Sequence, residues 1–123
     1  MPFLELTLFE HTRAQRSGLS QGLTNAVVQA WAIGADIVTL YFQVLGDDEC
    51  AHAGALVPAR DMRVFIKVHA FPRTLLQKRE AARAMTQVVA EVLQLPPKSV
   101  AIYFLDRPHQ DVSHAGVLAV DER

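Results

Sequence analysis

The residue with the most distinctive chemistry stands at position 2. Were Met1 removed, Pro2 would present a secondary amine at the chain terminus. An ordinary α-amino group titrates near about 8. An apolar pocket and a nearby cation would each disfavour its protonated form. Such an amine serves as a general base near neutral pH, or as a general acid if it keeps its proton. No other proline in the chain has this option. Other reactive residue types lack a specific arrangement. Cys50 with His52, and His109 with His114, do not have metal-ligand spacing. No nucleophilic Ser or Cys motif and no glycine-rich phosphate loop is present. A free amine at position 2 could therefore move protons, although a proline at one position is by itself a weak signal.

Composition narrows the class further. The chain has 123 residues, which fits one domain, and half are hydrophobic, enough for a real core. A net charge of -1 and 7% aromatic residues speak against a nucleic-acid surface. No apolar run approaches the ~20 residues that span a membrane. The start, Met1-Pro2-Phe3-Leu4-Glu5-Leu6, lacks the basic leader of a signal peptide. Cys50 is the single cysteine, so no intrachain disulfide can form, and a reducing cytoplasm is the expected setting.

The elements that must position Pro2 are written twice. Shifted by 62, residues 2–56 lie on 64–118 without a gap, and 13 of these 55 positions are identical. Chance would give about three, at roughly one match in sixteen for ordinary usage. Phe3 meets Phe65, Thr12 meets Thr74, Gln15 meets Gln77, Tyr41-Phe42 meets Tyr103-Phe104, and His52-Ala53-Gly54 meets His114-Ala115-Gly116. Residues 57–63 connect the units. Phe3–Phe9 and Val64–Phe71 read as strands, interrupted by Glu5 and Thr7 in the first and by Lys67 and His69 in the second. A Thr-x-x-Gln capping pattern follows in each unit. Leu19, Leu23, Ala26, Val27, Ala30 and Trp31 then form one helical stripe, matched by Ala81, Met85, Val88, Val89, Val92 and Leu93. Gly34 and Pro96-Pro97 are the expected helix stops. Second strands are expected at about Ile37–Val44 and Val100–Leu105.

The predicted fold class is α+β: tandem β-α-β repeats forming a single domain, with a four-stranded mixed sheet and both helices on one face. The other face would be bare and too apolar for water, so other subunits should cover it.

The second unit carries a family resemblance. Val64-Phe65-Ile66-Lys67-Val68, Pro72-Arg73-Thr74, Gln77-Lys78-Arg79, Leu95-Pro96-Pro97-Lys98-Ser99-Val100 and His114-Ala115-Gly116-Val117-Leu118, with Met1-Pro2 at the start, resemble 4-oxalocrotonate tautomerase. Two fused units resemble the double-length members of the tautomerase superfamily, which include malonate semialdehyde decarboxylase, cis-3-chloroacrylic acid dehalogenase and macrophage migration inhibitory factor. The resemblance covers nearly the whole chain. It implies a homotrimer with active sites near the N-termini, Pro2 as the catalytic amine, and no cofactor.

The same resemblance implies roles for other residues. Arg73 sits where relatives place a carboxylate-binding arginine; its counterpart in the first unit is His11. Tyr103 lies where the dehalogenase relatives orient substrate or water, although Tyr41 repeats it. His114 stands near their water-activating glutamate, although His52 repeats it. Asp36 resembles the water-handling aspartate of the decarboxylase relative. There are also departures. The second arginine of 4-oxalocrotonate tautomerase would fall near Ala101 or Thr39. The arginine just upstream of Arg73 is replaced by Ala70 or Phe71, and the histidine of the dehalogenase's first helix falls near Val27. Three readings follow: a tautomerase acting on a small 2-oxo or enol acid, a decarboxylase or hydratase/dehalogenase acting on a three-carbon acid, and a non-enzymatic trimeric binding or signalling module.

Overall fold

The computed structural model describes residues 2–122. Met1, and so its removal, lies outside the described residues. The elements run β1 (Phe3–Leu8), α1 (Arg13–Trp31), β2 (Thr39–Val44), β3 (Cys50–His52), β4 (Ala55–Val57), β5 (Val64–Ala70), α2 (Leu75–Leu93), β6 (Val100–Asp106), β7 (Ser113–His114) and β8 (Val117–Leu118). Four strands form one mixed sheet in the order β2-β1-β5-β6. β1 is parallel to β2 and β5 to β6, as helical crossovers require. The two halves meet through antiparallel pairing of β1 with β5. β3–β4 and β7–β8 are separate two-stranded ribbons.

Both helices start as the Thr-x-x-Gln pattern predicts. The Thr12 hydroxyl accepts from the Gln15 N–H while the Gln15 side chain accepts from the Thr12 N–H, and Thr74 with Gln77 repeats this. Their ends differ from expectation. α1 turns at Ala32 and α2 at Gln94, both left-handed at φ 52° and 57°, rather than at Gly34 and Pro96-Pro97. The N–H of Ile33 returns to the Val28 carbonyl and that of Leu95 to the Ala90 carbonyl, at 3.4 and 3.0 Å. These bonds satisfy the last carbonyls and offset the modest cost of a left-handed residue with a Cβ. β2 begins at Thr39, not Ile37, because Ala35–Ile37 winds into a 3-10 turn closed by the Val38 N–H on the Ala35 carbonyl.

Both helices cover one face of the sheet. Leu4, Leu6 and Leu8 of β1 and Val64, Ile66 and Val68 of β5 are buried with Leu19, Leu23 and Val27 of α1 and Ala81, Met85 and Val89 of α2. Strand alternation turns Phe3, Glu5, Lys67, His69 and Tyr103 to the opposite face. That face is more polar than the strand pattern suggested. Its aromatic residues sit among groups that pair with one another: Glu5 with His69, and the Thr7 hydroxyl with Gln43. Neither helix is long and apolar enough to cross a membrane.

The helices approach closely at Gly22. A Cβ there would lie 2.5 Å from a Val88 methyl, whereas one on Gly18 would meet the Val92 methyls at an ordinary 3.5 Å. Valine in a helix is held near one rotamer, so Val88 has little room to yield. Alanine gains about 1 kcal/mol of helix propensity over glycine, and overpacking costs about 1–3 kcal/mol. Gly18→Ala should therefore raise the thermal unfolding midpoint and Gly22→Ala should lower it, with Val88→Ala restoring part of the loss in the Gly22→Ala background. Equal stabilisation by both single substitutions in a circular-dichroism melt would rule out this close approach.

Candidate active site

Pro2 immediately precedes β1, and its ring is fully buried. Its carbonyl accepts from the Thr39 N–H at 3.4 Å, which fixes it against the start of β2. On the other side β1 pairs with β5 in the register Phe3 to His69. One step further, Pro2 stands opposite Ala70. The chain after Ala70 leads through Phe71 and Pro72 to Arg73, so Arg73 belongs to the same end of the sheet as Pro2.

Arg73 is half-buried and doubly held. Its Nη1 donates to the Phe71 carbonyl at 2.9 Å, and its guanidinium stacks 4.7 Å from the centre of the Trp31 ring. Trp31 is pinned in turn by its indole N–H on the Gln77 carbonyl at 3.1 Å. Stacking on an indole suits a delocalised guanidinium and leaves its other N–H groups available to a carboxylate. The counterpart in the first half is His11, whose Nδ1 lies 2.9 Å from the Phe9 carbonyl. Its Nε2 accepts from Arg16 Nε at 3.0 Å. That bond leaves the proton on Nδ1, where it donates to Phe9. The two halves therefore use the same turn differently, with a cation at one and an imidazole at the other.

Tyr103 and His114 lie elsewhere. Tyr103 is level with Lys67 on β5 and through it with Glu5 on β1, not with Pro2. Its ring packs 4.6 Å from Phe65, and it is 60% exposed on the uncovered face. Tyr41 does the same against Phe3 at 5.9 Å. His114 is exposed in the β7–β8 ribbon, just before a turn in which Ala115 and Gly116 have φ of 53° and 79°. His52-Ala53-Gly54 forms the matching turn, with φ of 52° and 85° at Ala53 and Gly54. Two successive positive φ angles make a tight hairpin turn, which accounts for the repeated glycine. Asp36 is exposed in the 3-10 turn before β2.

The structure assembles a network that the residue pattern did not reveal. His69 is the one buried polar side chain among the described residues, 7% exposed. Its Nε2 lies 2.6 Å from Glu5 Oε2 and its Nδ1 2.9 Å from Arg107 Nη2. Its ring stacks flat on Phe3, with centres 4.3 Å apart. The Arg107 backbone N–H donates to the carbonyl of Ala70, the residue opposite Pro2, at 2.7 Å. Phe71 meanwhile stacks on His109 at 4.0 Å. The available signal was the polar interruption of two apolar strands by Glu5 and His69. Arg107 carried none, because Arg107-Pro108 reads as an ordinary turn.

No family model and no curated protein sequence matches the chain. Solved structures do match it. The F6 fused 4-OT, a wild-type asymmetric trimer, superposes with a TM-score of 0.89 at 28% identity over 96% of each chain. The Q0 fused 4-OT, a wild-type symmetric trimer, gives 0.84 at 26% identity, again over 96% of each chain. A macrophage migration inhibitory factor of Toxoplasma gondii shares the fold, with a TM-score of 0.77 at 17% identity over 94% of this chain and 98% of that one. With its paired strand–helix–strand order, its β2-β1-β5-β6 sheet and this overlap, the chain is a member of the tautomerase superfamily in its fused, double-length form.

Proposed function

We propose that the protein is a cofactor-independent tautomerase interconverting keto and enol forms of a small 2-oxo acid. Pro2, freed of Met1, moves the proton between carbon and oxygen, and Arg73 holds the substrate carboxylate. The sheet register supports this reading: continued one step past the Phe3–His69 pair it sets Pro2 against Ala70, and Arg73 follows three residues later at the same end of the sheet. A planar guanidinium grips a carboxylate through two parallel hydrogen bonds. The burial of Pro2, and an Arg73 cation at the same end of the sheet, would both disfavour a protonated amine, which is what a base near neutral pH requires.

The active unit on this reading is a homotrimer. The fused 4-OT neighbours are trimers, and this chain leaves Tyr41 and Tyr103 on a sheet face that its own helices do not cover. Tyr103 stands two strands from β1, about 10 Å across the sheet. We assign Tyr103 and His114 a part in substrate binding only from across a subunit boundary.

The proposal is tested by following ketonisation of the enol form of phenylpyruvate. Arg73→Ala should lower kcat/KM roughly ten- to over a hundredfold, since a lost charge-assisted pair is worth about 1.5–3 kcal/mol. The ascending limb of its pH–rate profile should move to higher pH, because removing a cation makes the protonated amine easier to keep. Retaining Met1 by blocking its removal converts the Pro2 nitrogen to an amide and should abolish turnover; full activity in that protein would refute the assignment of Pro2.

Sedimentation gives a separate check on assembly. The species in solution should weigh about three times 13.6 kDa. A monomer at micromolar concentration would overturn the proposed covering of the sheet.

A further inference from the structure

We propose that Arg107 is a second anion-binding group of the Pro2 site, held in place by Glu5 and His69, and that it holds its position only while His69 is neutral. The proposal rests on the reading of Pro2 as the reacting amine. Its own support is geometric. An arginine side chain can only donate, so the 2.9 Å contact from Arg107 Nη2 makes His69 Nδ1 an acceptor. The imidazole proton then sits on Nε2 and donates to Glu5 Oε2 at 2.6 Å. The ring cannot rotate away, because it is stacked on Phe3 and 7% exposed. Glu5 thereby fixes the tautomer, and the tautomer fixes the guanidinium.

The guanidinium is fixed at the end of the sheet that holds Pro2. The Arg107 backbone is tied to the Ala70 carbonyl, and Ala70 stands opposite Pro2. His69 stacks on Phe3, the residue next to Pro2. Arg107 is half-buried, and among the described residues its side chain makes no other hydrogen bond. A guanidinium has five N–H groups, so most remain for an incoming anion. Arg73 leans on Trp31 on the helix side of the sheet, whereas Arg107 lies on the uncovered side. The two arginines therefore flank the start of β1 from opposite faces.

Protonation of His69 would break this arrangement. An Nδ1–H would point at the N–H groups of Arg107, and two cations would stand in contact. The charged or titratable groups facing the ring are Glu5 from β1 and Arg107 from the segment after β6. Lys67, on the same strand, shares the face. Anion binding should therefore be weaker wherever His69 carries a proton. Pro2 predicts the opposite sign, since a protonated amine adds a cation and tightens an anion. A loss of binding at low pH that His69→Asn removes therefore identifies His69.

Benzoylformate is a suitable probe. It is a 2-oxo acid with no hydrogen to enolise, and it stays ionised between about pH 5.5 and 8, so binding is separated from turnover. Calorimetric titration of the full chain should show wild-type affinity falling as pH is lowered across that range. His69→Asn, whose side-chain oxygen replaces the Nδ1 acceptor and does not titrate, should keep its affinity level. Arg107→Ala should bind the probe roughly ten- to a hundredfold more weakly at pH 8. Arg107→Lys, which keeps the charge, should recover part of that loss. Wild-type affinity that does not change with pH, or an Arg107→Ala protein with an unaltered melting curve and wild-type affinity, would overturn the proposal. Should Arg107→Ala fail to fold, the comparison of wild type with His69→Asn still decides it. A protein that binds benzoylformate through Arg107 yet converts no enol acid would retire the tautomerase reading and leave the relay standing.

Discussion

The antiparallel pairing of β1 with β5 is the constraint on which the molecule depends. Each strand–helix–strand unit by itself makes only two parallel strands, and it leaves the backbone groups along β1 or β5 unpaired on one side. Joining them at the centre gives four strands and a continuous apolar face for both helices. The register of that junction then decides the chemistry. Phe3 opposite His69 puts Pro2 opposite Ala70, and it brings Glu5 to the Nε2 of His69 from 64 residues away. A slip of one residue would turn His69 into the helix-covered core and break the network.

The helix layer reinforces this register rather than setting it. Leu19, Leu23 and Val27 on one side and Ala81, Met85 and Val89 on the other fill the space above β1 and β5. Gly22 lets Val88 come close, so the two helices settle as one layer. Trp31 closes the end of that layer nearest Arg73, with its indole N–H on α2 and its ring under the guanidinium. The same side chain serves packing and site geometry. Substitutions of Trp31 would therefore disturb both together.

Near-symmetry makes the differences between the halves informative. The tyrosines, the Thr-x-x-Gln caps, the left-handed helix ends and the Ala-Gly turns occur twice and do the same work in both places. Pro2 against Val64, His11 against Arg73 and Thr7 against His69 do not match. Pro2, His69 and Arg73 belong to one end of the sheet, whereas Val64, Thr7 and His11 belong to the other. A duplicated scaffold with one specialised end is consistent with a single site per chain.

Local pattern by itself determined much of this. The 62-residue repeat, the strand–helix–strand order, the capping residues and both helical stripes follow from periodicities that span a few residues and need no distant partner. The singular position of Pro2 followed from the order of residues alone. Arg73 stood out by resemblance, but its stacking on Trp31 did not, because that contact joins residues 42 positions apart. The helix ends were misplaced because Ala32 and Gln94 take a conformation that favours glycine, and the hydrogen bonds that hold them there are not written in residue type. Only the tertiary structure could choose the β1–β5 register. Polar residues in a strand mark which face is not core, but not which residue on another strand will meet them. Glu5, His69 and Arg107 each have an ordinary local context, and only folding through that register brings them within hydrogen-bonding distance.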